Sequence, residues 1–423
     1  MKRIGFFLLF VNFILFNGCD DIIIDTFLAN VPIYITYEEL REPVTTEESR
    51  NLEKPGKIYF YQDYLFINEY LEGIHIIDNT NPSSPQNMGF INIPGNVDIA
   101  IKDDILYADS YVDLVALDIS DLNQITEVSR LKDLFPYILP PYDENYRLDD
   151  IDYTKGIVVD WELQKITREV EPNIYPVFPW YESGDLSASY ANGRAGYSSG
   201  SSSFGVGGSM ARFTGKDDVL YTIDTYSLKV VDIKDFNNML LTKTIHVGWN
   251  IETIFPSGNT LFIGSQNGLI IFDISNVYNP TYISDYWHIT SCDPVVVEGD
   301  YAYVTLRSGN LCGEINDQLD VVDISDLTNP THVKSYSMTE PYGLGIDDSI
   351  LFICDGSAGL KIYDASDPLK ITDHLIAHFP DIETYDVIPV NGILMMIGDD
   401  GLYQYDYSNL TDIQLLSSIT VGN

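Results

Sequence analysis

The sequence predicts an all-β chain folded as a single β-propeller of seven blades, each blade of four antiparallel strands, and three observations predict it. Seven times a short apolar run ends in aspartate and passes into a turn: Gly73–Asp78, Asp113–Asp118, Ser227–Asp232, Gly268–Asp273, Gln318–Asp323, Gly359–Asp364 and Gly401–Asp406. The spacings between successive aspartates are 40, 114, 41, 50, 41 and 42 residues, and strand-type units at a period near 40 mark a propeller or a solenoid. The chain is 45% hydrophobic, with 30 tyrosines and 19 phenylalanines, which supplies a large core and excludes a disordered tail.

The sixth unit shows how one blade is written. Tyr342 to Ile346 supplies an inner strand and Ser349 to Cys354 a second; Asp355, Gly356 and Gly359 turn the chain into a third, Leu360 to Tyr363. Asp364 to Pro368 is a turn, and Ile371 to Phe379 makes the outer strand. Four strands in about 40 residues is the spacing of a propeller blade. The aspartate that closes each run has a local task, because its carboxylate accepts a hydrogen bond from the amide two residues on and so fixes the turn. These seven aspartates are therefore read as structural.

The runs resemble the LVIVD repeat of bacterial secreted and surface proteins, with Asp320-Val-Val-Asp323-Ile-Ser-Asp-Leu-Thr-Asn-Pro330 the nearest in form. The resemblance covers most of the chain from about residue 56 and implies a β-propeller lipoprotein. It brings no catalytic residues with it.

Residues 1–18 read as a signal peptide of lipoprotein type. Met1-Lys-Arg3 is positive, Ile4 to Phe16 is apolar but too short to span a bilayer, and Gly18-Cys19 resembles a lipobox whose cysteine is lipidated after cleavage. An ordinary secretory signal is the alternative. Residues 19–55 are read as anchor and tether, either free or with Ile33 to Tyr37 paired on a blade edge. Asp20 and Asp21 resemble an export signal for the outer membrane or cell surface, which is the expected location.

Residues 56–423 form the propeller, interrupted by an insertion at about 136–208. Gly156-Ile-Val-Val-Asp160 imitates the motif inside it, but Pro136, Pro140 and Pro141 interrupt where inner strands would lie. Residues 156–169 are read as an outer strand or hairpin of the second blade, with an eighth blade as the alternative. The Ser, Gly and Tyr-rich stretch that follows is read as a mobile loop, which Tyr175, Phe178, Trp180 and Tyr181 would anchor.

A net charge of −40, from 63 acidic and 23 basic residues, repels phosphate backbones and excludes nucleic acid as a partner. The start of each inner strand faces the axis of a propeller, which places Lys57, Asp98, Arg212, Glu252, Asp293, Gly343 and Asp386 around one channel. They either pair with one another or hold a small polar ligand or cation. In an exported chain Cys292 and Cys312 lie on adjacent strand ends and are expected to form a disulfide, whose loop of about 20 residues contributes roughly 3 kcal/mol. Cys354 is expected to be a buried thiol.

No metal ligand set is assigned. Asp149, Asp150 and Asp152 offer oxygen ligands to calcium but lack the glycine and glutamate of an EF-hand. The six histidines form no zinc pattern, and the Gly196–Gly200 match to a nucleophile elbow lacks its strand and helix. The expected role is a lipid-anchored scaffold that binds a protein or glycan, without catalysis. The rival is a propeller hydrolase or lyase acting on glycans or lactones through carboxylates at the channel mouth.

Overall fold

A computed structural model of the chain describes residues 23–170, 204–266, 268–287, 294–308 and 317–422. They divide into two compact units, one drawn from residues 1–35 and 139–187, the other from 36–138 and 188–423. Among the described residues no helix is long and apolar enough to cross a membrane.

The larger unit holds seven antiparallel sheets among its described residues, each built from strands consecutive in the chain. Their first strands touch in a closed circuit. Pro55–Tyr61 meets Ile99–Lys102, followed by Phe213–Lys216, Ile251–Ser257, Val295–Glu298, Leu344–Asp347 and Asp386–Val390, which returns to Pro55–Tyr61. The unit is thus a β-propeller, and its sheets are numbered here as blades 1 to 7 in that order. Blade 1 is widened by Thr45–Glu47 on its outer edge and by Val206–Gly207 on its inner edge.

Each blade is pinned at the turn that the repeat aspartate opens. The N–H two residues on donates to Oδ1 of Asp78, Asp118, Asp232, Asp273, Asp323, Asp364 and Asp406 at 2.7–3.0 Å. Hydrogen bonds from the residue two places on hold Asp78, Asp118, Asp273, Asp323, Asp364 and Asp406 below the ordinary carboxylate range. The residue between also works, because its N–H reaches back to the turn between the first two strands, as Ile119 does to Asp104 at 2.9 Å and Ile324 to Asp300 at 2.8 Å. A register shift follows in every outer strand pair, and such bulges increase local twist.

Between blades, large side chains from the second strands fill the wedge. Phe66, Tyr107, Tyr221, Phe262, Tyr303 and Phe352 occupy the same place after a Leu or Ala, with Met395 in blade 7, and all are at most 4% exposed. Burying one such ring contributes about 2–3 kcal/mol, so the wedge alone is a large share of the apolar driving force.

Blade 1 and blade 7 exchange no strand, and their seam is closed by side chains together with a main-chain bond from the Gly422 N–H to Leu52 O at 3.0 Å. Apolar residues Leu52, Ile58, Leu65 and Ile67 pack with Ile388, Met395 and Ile397. Across it Asn79 Nδ2 donates to Gln404 Oε1 at 3.0 Å, and Gln404 Nε2 donates back to Asn79 Oδ1 at 2.7 Å. Pro82 O accepts from Gln404 and from Ser417 Oγ, the latter at 2.6 Å. Asn79 stands where blades 2 to 5 carry Ile119, Ile233, Ile274 and Ile324, and Gln404 where others carry Ile76, Val230 or Val321. Both amides are buried, and each gives the other one donor and one acceptor.

In the smaller unit Ile23–Ile35 runs antiparallel to Ile157–Val170 in one long ladder, and Arg147–Leu148 adds a short parallel edge at Ala29 and Asn30. Residues 156–169 are therefore not part of blade 2, whose outer strand is Thr126–Leu131. The reason is partner length: Ile23–Ile35 offers thirteen residues in register with one bulge. Residues 33–35 accordingly pair with this strand and with no blade edge, while the edge of blade 1 takes Thr45–Glu47.

Converting Asn79→Ile or Gln404→Val alone orphans a buried amide and should cost about 1–3 kcal/mol. The double variant should cost clearly less than the sum, with a coupling of about 1 kcal/mol or more in equilibrium urea unfolding. Strictly additive losses would show that the two amides do not act as a unit.

Candidate functional site

The hub is built where inner strands begin. Lys57 lies near the start of Pro55–Tyr61, Asp98 just before Ile99–Lys102, Arg212 just before Phe213–Lys216, Glu252 in Ile251–Ser257, Gly343 just before Leu344–Asp347, and Asp386 opens Asp386–Val390. Lys57, Asp98 and Asp386 are buried; Arg212 and Glu252 are half-buried. Lys57 Nζ pairs with Asp98 Oδ2 at 2.6 Å. Burial holds the Lys57 ammonium below its ordinary range, and Asp98 opposes that displacement. Asp293 lies outside the described residues, as do Cys292, Cys312 and Cys19. Cys354 is a buried free thiol.

A segment of the chain itself, residues 204–212, crosses this hub. Gly205 N–H donates to Ile101 O of blade 2 at 2.9 Å, and Val206 and Gly207 pair with Phe60 and Tyr59 of blade 1. Ser209 donates from N and Oγ to Asp386 Oδ1 of blade 7, at 3.0 and 3.1 Å, while its Oγ accepts the Leu344 N–H of blade 6 at 2.7 Å. Ala211 O accepts from Ile254 of blade 4, and the Arg212 N–H donates to Asp98 Oδ2. Nine residues thus bond to five blades besides blade 3, whose Ile223 N–H donates to Arg212 O at 2.9 Å. Close approach explains two glycines: a Cβ on Gly208 would lie 2.0 Å from Asp386 Oδ2, and one on Gly343 2.2 Å from Asp386 Oδ1. The insertion's final part is a bonded strap rather than a loop; Tyr175, Phe178, Trp180 and Tyr181 lie outside the described residues.

A second acidic series, at the ends of second strands, clamps the chain entering the inner strands. Glu69 accepts from the N–H groups of Glu53 and Lys54, Asp109 from Val97 at 2.7 Å and Asp98 at 2.9 Å, and Asp355 from Thr339 and Glu340 at 2.9 and 2.8 Å. Third strands supply bases to several of them: His75 to Glu69 at 2.9 Å, Lys229 to Asp224 at 2.8 Å, and Lys361 to Asp355. Burial works against ionised Glu69, yet bonds from His75, Lys54 and Glu53 hold it below its ordinary value. In blade 2 Val115 replaces the base, and burial lifts the Asp109 carboxyl to about 6.

Glu252 is the other displaced acid. Burial pushes it to about 7, against the Gln266 amide, which donates at 3.1 Å, and the charges of Arg212 and Arg307. Arg307 lies over the Tyr342 ring at 4.2 Å. The Asp149, Asp150 and Asp152 triplet divides: Arg168 pairs with Asp149 and with Asp150, the latter at 2.9 Å, and Asp152 accepts from Thr154 N–H at 3.0 Å. Among the described residues no three or more His, Cys, Asp or Glu side chains converge as a metal site.

Sequence reasoning missed Ser209, the acids at second-strand ends, and two tryptophans, Trp249 and Trp287, at 69% and 70% exposure the most exposed large hydrophobic side chains described. The acids had a signal, since Glu69 and Asp109 recur at the same place before the third strand. Ser209 had none, because its partners lie 135 and 177 residues away.

The displaced acids set a pH dependence. Raised above 4.5 and 3.8 in the fold, Glu252 and Asp109 favour the protonated state, so they cost nothing below their unfolded values and progressively more as pH rises to about 7 and about 6. The turn aspartates, depressed in the fold, lose their contribution only as pH falls through the carboxylate range. Thermal stability should therefore peak near about pH 5, and the decline toward pH 8 should shrink in Glu252→Gln, at about 1.4 kcal/mol per unit of displacement removed. Calorimetry showing the same decline in both proteins would contradict this account of Glu252.

The LVIVD repeat model matches residues 56–92, 95–133, 252–287 and 291–338. No curated protein matches the chain. A solved structure of a protein from Lactobacillus plantarum is 12% identical with a TM-score of 0.51, over 87% of this chain and 96% of that one. The designed protein Ika8 is 10% identical with a TM-score of 0.49, over 89% and 92%, and BamB from Moraxella catarrhalis is 8% identical at 0.44, over 85% and 96%. At 12% identity the likeness to the Lactobacillus plantarum protein speaks for fold alone. The matched stretches correspond to blades 1, 2, 4 and 5, and blades 3, 6 and 7 repeat the same aspartate turn and strand order; the chain is a β-propeller that carries four LVIVD repeats.

Proposed function

We propose that the chain is a binding or assembly scaffold of the cell envelope, lipid-anchored through Cys19 at the outer membrane or cell surface, which presents a rigid propeller to a protein or glycan partner without catalysis. One observation carries this reading. The hub acids Asp98 and Asp386 are bonded to Lys57, Ser209 and the Arg212 backbone, so they brace the ring, and recognition falls to the loops and faces around it. Braced blades preorganise those loops, which lowers the entropy cost of binding.

A second reading has one observation in its favour. Glu252, held up at about 7, has the displacement expected of a general acid at neutral pH, as a hydrolase or lyase acting on glycans or lactones would require.

The anchor is tested by expressing the full chain in a Gram-negative host with labelled palmitate. Wild type should take up label and fractionate with membranes, and Cys19→Ala should lose the label; an unlabelled wild type would rule out the anchor. The two roles separate on turnover. The scaffold predicts none on a panel of glycans and lactones, together with a surface partner recovered by crosslinking on intact cells. Turnover that falls at least about a hundredfold in Glu252→Gln, the scale of lost general-acid catalysis, would replace the scaffold with the enzyme.

A further inference from the structure

In the smaller unit the two faces of the ribbon formed by Ile23–Ile35 and Ile157–Val170 are unequal. Successive side chains of a strand point to opposite faces, and directly paired residues share one. Thr26 is opposite Thr167, Leu28 opposite Lys165 and Asn30 opposite Leu163, so one face carries Ile24, Thr26, Leu28, Leu163, Lys165 and Thr167. The 3.2 Å contact between Thr26 Oγ1 and Thr167 Oγ1 confirms that register. By the same pairing the other face carries Asp25, Phe27, Gln164, Ile166 and Arg168.

Charged groups cover the second face. Arg147 lies over the Phe27 ring at 3.9 Å and reaches Asp25 at 3.8 Å, and Arg168 pairs with Asp149 and Asp150. The first face is bare as far as Asn30, whose Nδ2 donates to Asp143 O and Tyr146 O, both at 2.9 Å. On it Ile24, Leu28 and Leu163 stand 64%, 43% and 45% exposed, and Thr26, Lys165 and Thr167 are exposed beside them. Water alone favours the reverse layout, with aliphatic side chains under cover and charges outside.

The size of the bare face and its place in the chain identify what covers it. From Ile24 to Asn30 it measures about 20 Å by 10 Å, roughly 200 Å² against the roughly 800 Å² that each partner gives to a stable protein interface. Ile23 follows Cys19 by four residues, which reach at most about 14 Å when fully extended, so an anchored Cys19 keeps this end of the ribbon at the bilayer surface. Amphipathic elements at such a surface bury an apolar face about 5–10 Å into the boundary between headgroups and acyl chains. There Ile24, Leu28 and Leu163 leave water, the two threonine hydroxyls already have each other, and Lys165 extends its ammonium to the lipid phosphates.

We propose that the face carrying Ile24, Leu28 and Leu163 lies on the lipid surface that holds the anchor, as a second membrane contact. This rests on the reading of Cys19 as a lipid anchor and states which side of the ribbon the membrane meets.

The test uses the full chain from the labelled-palmitate experiment, reconstituted in vesicles of phosphatidylethanolamine and phosphatidylglycerol. An environment-sensitive fluorophore is attached at Leu163→Cys or at Gln164→Cys, neighbours on opposite faces, with the unsubstituted chain as the blank for its own cysteines. The emission at Leu163→Cys should shift to the blue on vesicles and be quenched by nitroxide-bearing lipid, while the label at Gln164→Cys stays as in water. Adding Ile24→Asp with Leu28→Asp should abolish the shift at Leu163→Cys and leave palmitate uptake and circular dichroism unchanged, because both side chains are at the surface. An equal response of the two labels overturns the contact, and so does crosslinking of Leu163→Cys between copies in place of quenching by lipid, which gives the face to a second copy. If the labels respond alike on a chain that takes up palmitate, the contact falls and the anchor stands; a chain that takes up none overturns both.

Discussion

Seven sheets that share no strand remain a ring only while the junction between the first and the last is as secure as the other six. Propagation along the chain makes six of those junctions between neighbours in sequence; the seventh joins residues 325 apart. Apolar packing of Leu52, Ile58 and Ile67 with Ile388 and Ile397 provides the adhesion, but it could be offered equally by any other blade. The reciprocal amide pair of Asn79 and Gln404 provides what apolar packing cannot, a reason for these two blades to meet and no others. An isoleucine from an internal blade placed opposite Gln404 would take away the Asn79 donor to its buried Oε1, a penalty larger than the net worth of the bond itself. Specificity of closure is thus written as two polar exceptions in an otherwise apolar repeat.

The hub depends on that closure. Asp386 and Lys57 belong to the last and first blades, and the strap at residues 204–212 can bond to blades 1, 2, 4, 6 and 7 together only in a completed ring. Its effect on the chemistry of the axis is direct. Ser209 and the Arg212 N–H occupy acceptor positions on Asp386 Oδ1 and Asp98 Oδ2, so the chain's own strap supplies donors to the buried hub carboxylates. Glu252 carries the cost of its burial as a raised pKa, against the Gln266 amide and the charges of Arg212 and Arg307.

The repeat was legible because its physics is local. An aspartate that bonds the amide two residues on, an apolar run before it and an aromatic in the preceding strand all fall within about 20 residues, and all recur. Inner-strand starts follow from the same register, and Lys57, Asp98, Arg212, Glu252 and Asp386 stand in or just before the first strands of their blades. What escaped was non-local or non-repeating. Ser209 sits in a serine and glycine stretch with nothing to distinguish it from its neighbours, and residues 157–170 carry a motif-like Ile-Val-Val-Asp that pairs instead with Ile23–Ile35. The amide pair was visible only as two departures from a consensus, and two departures 325 residues apart do not announce that they touch.

The strap also fixes an order of events. Residues 204–212 emerge when two blades exist, while the groups that receive them in blades 4, 6 and 7 have yet to be synthesised. Until Leu344 and Asp386 arrive, a half-made propeller has a vacant centre and a stretch of serine and glycine with no fixed place. Contacts separated by 135 and 177 residues make such a chain slow to fold, and its early blades must wait with open edges. A propeller that carries its own axle is consequently assembled last at its middle, and truncation between the strap and Asp386 takes partners from the centre as surely as it removes the rim.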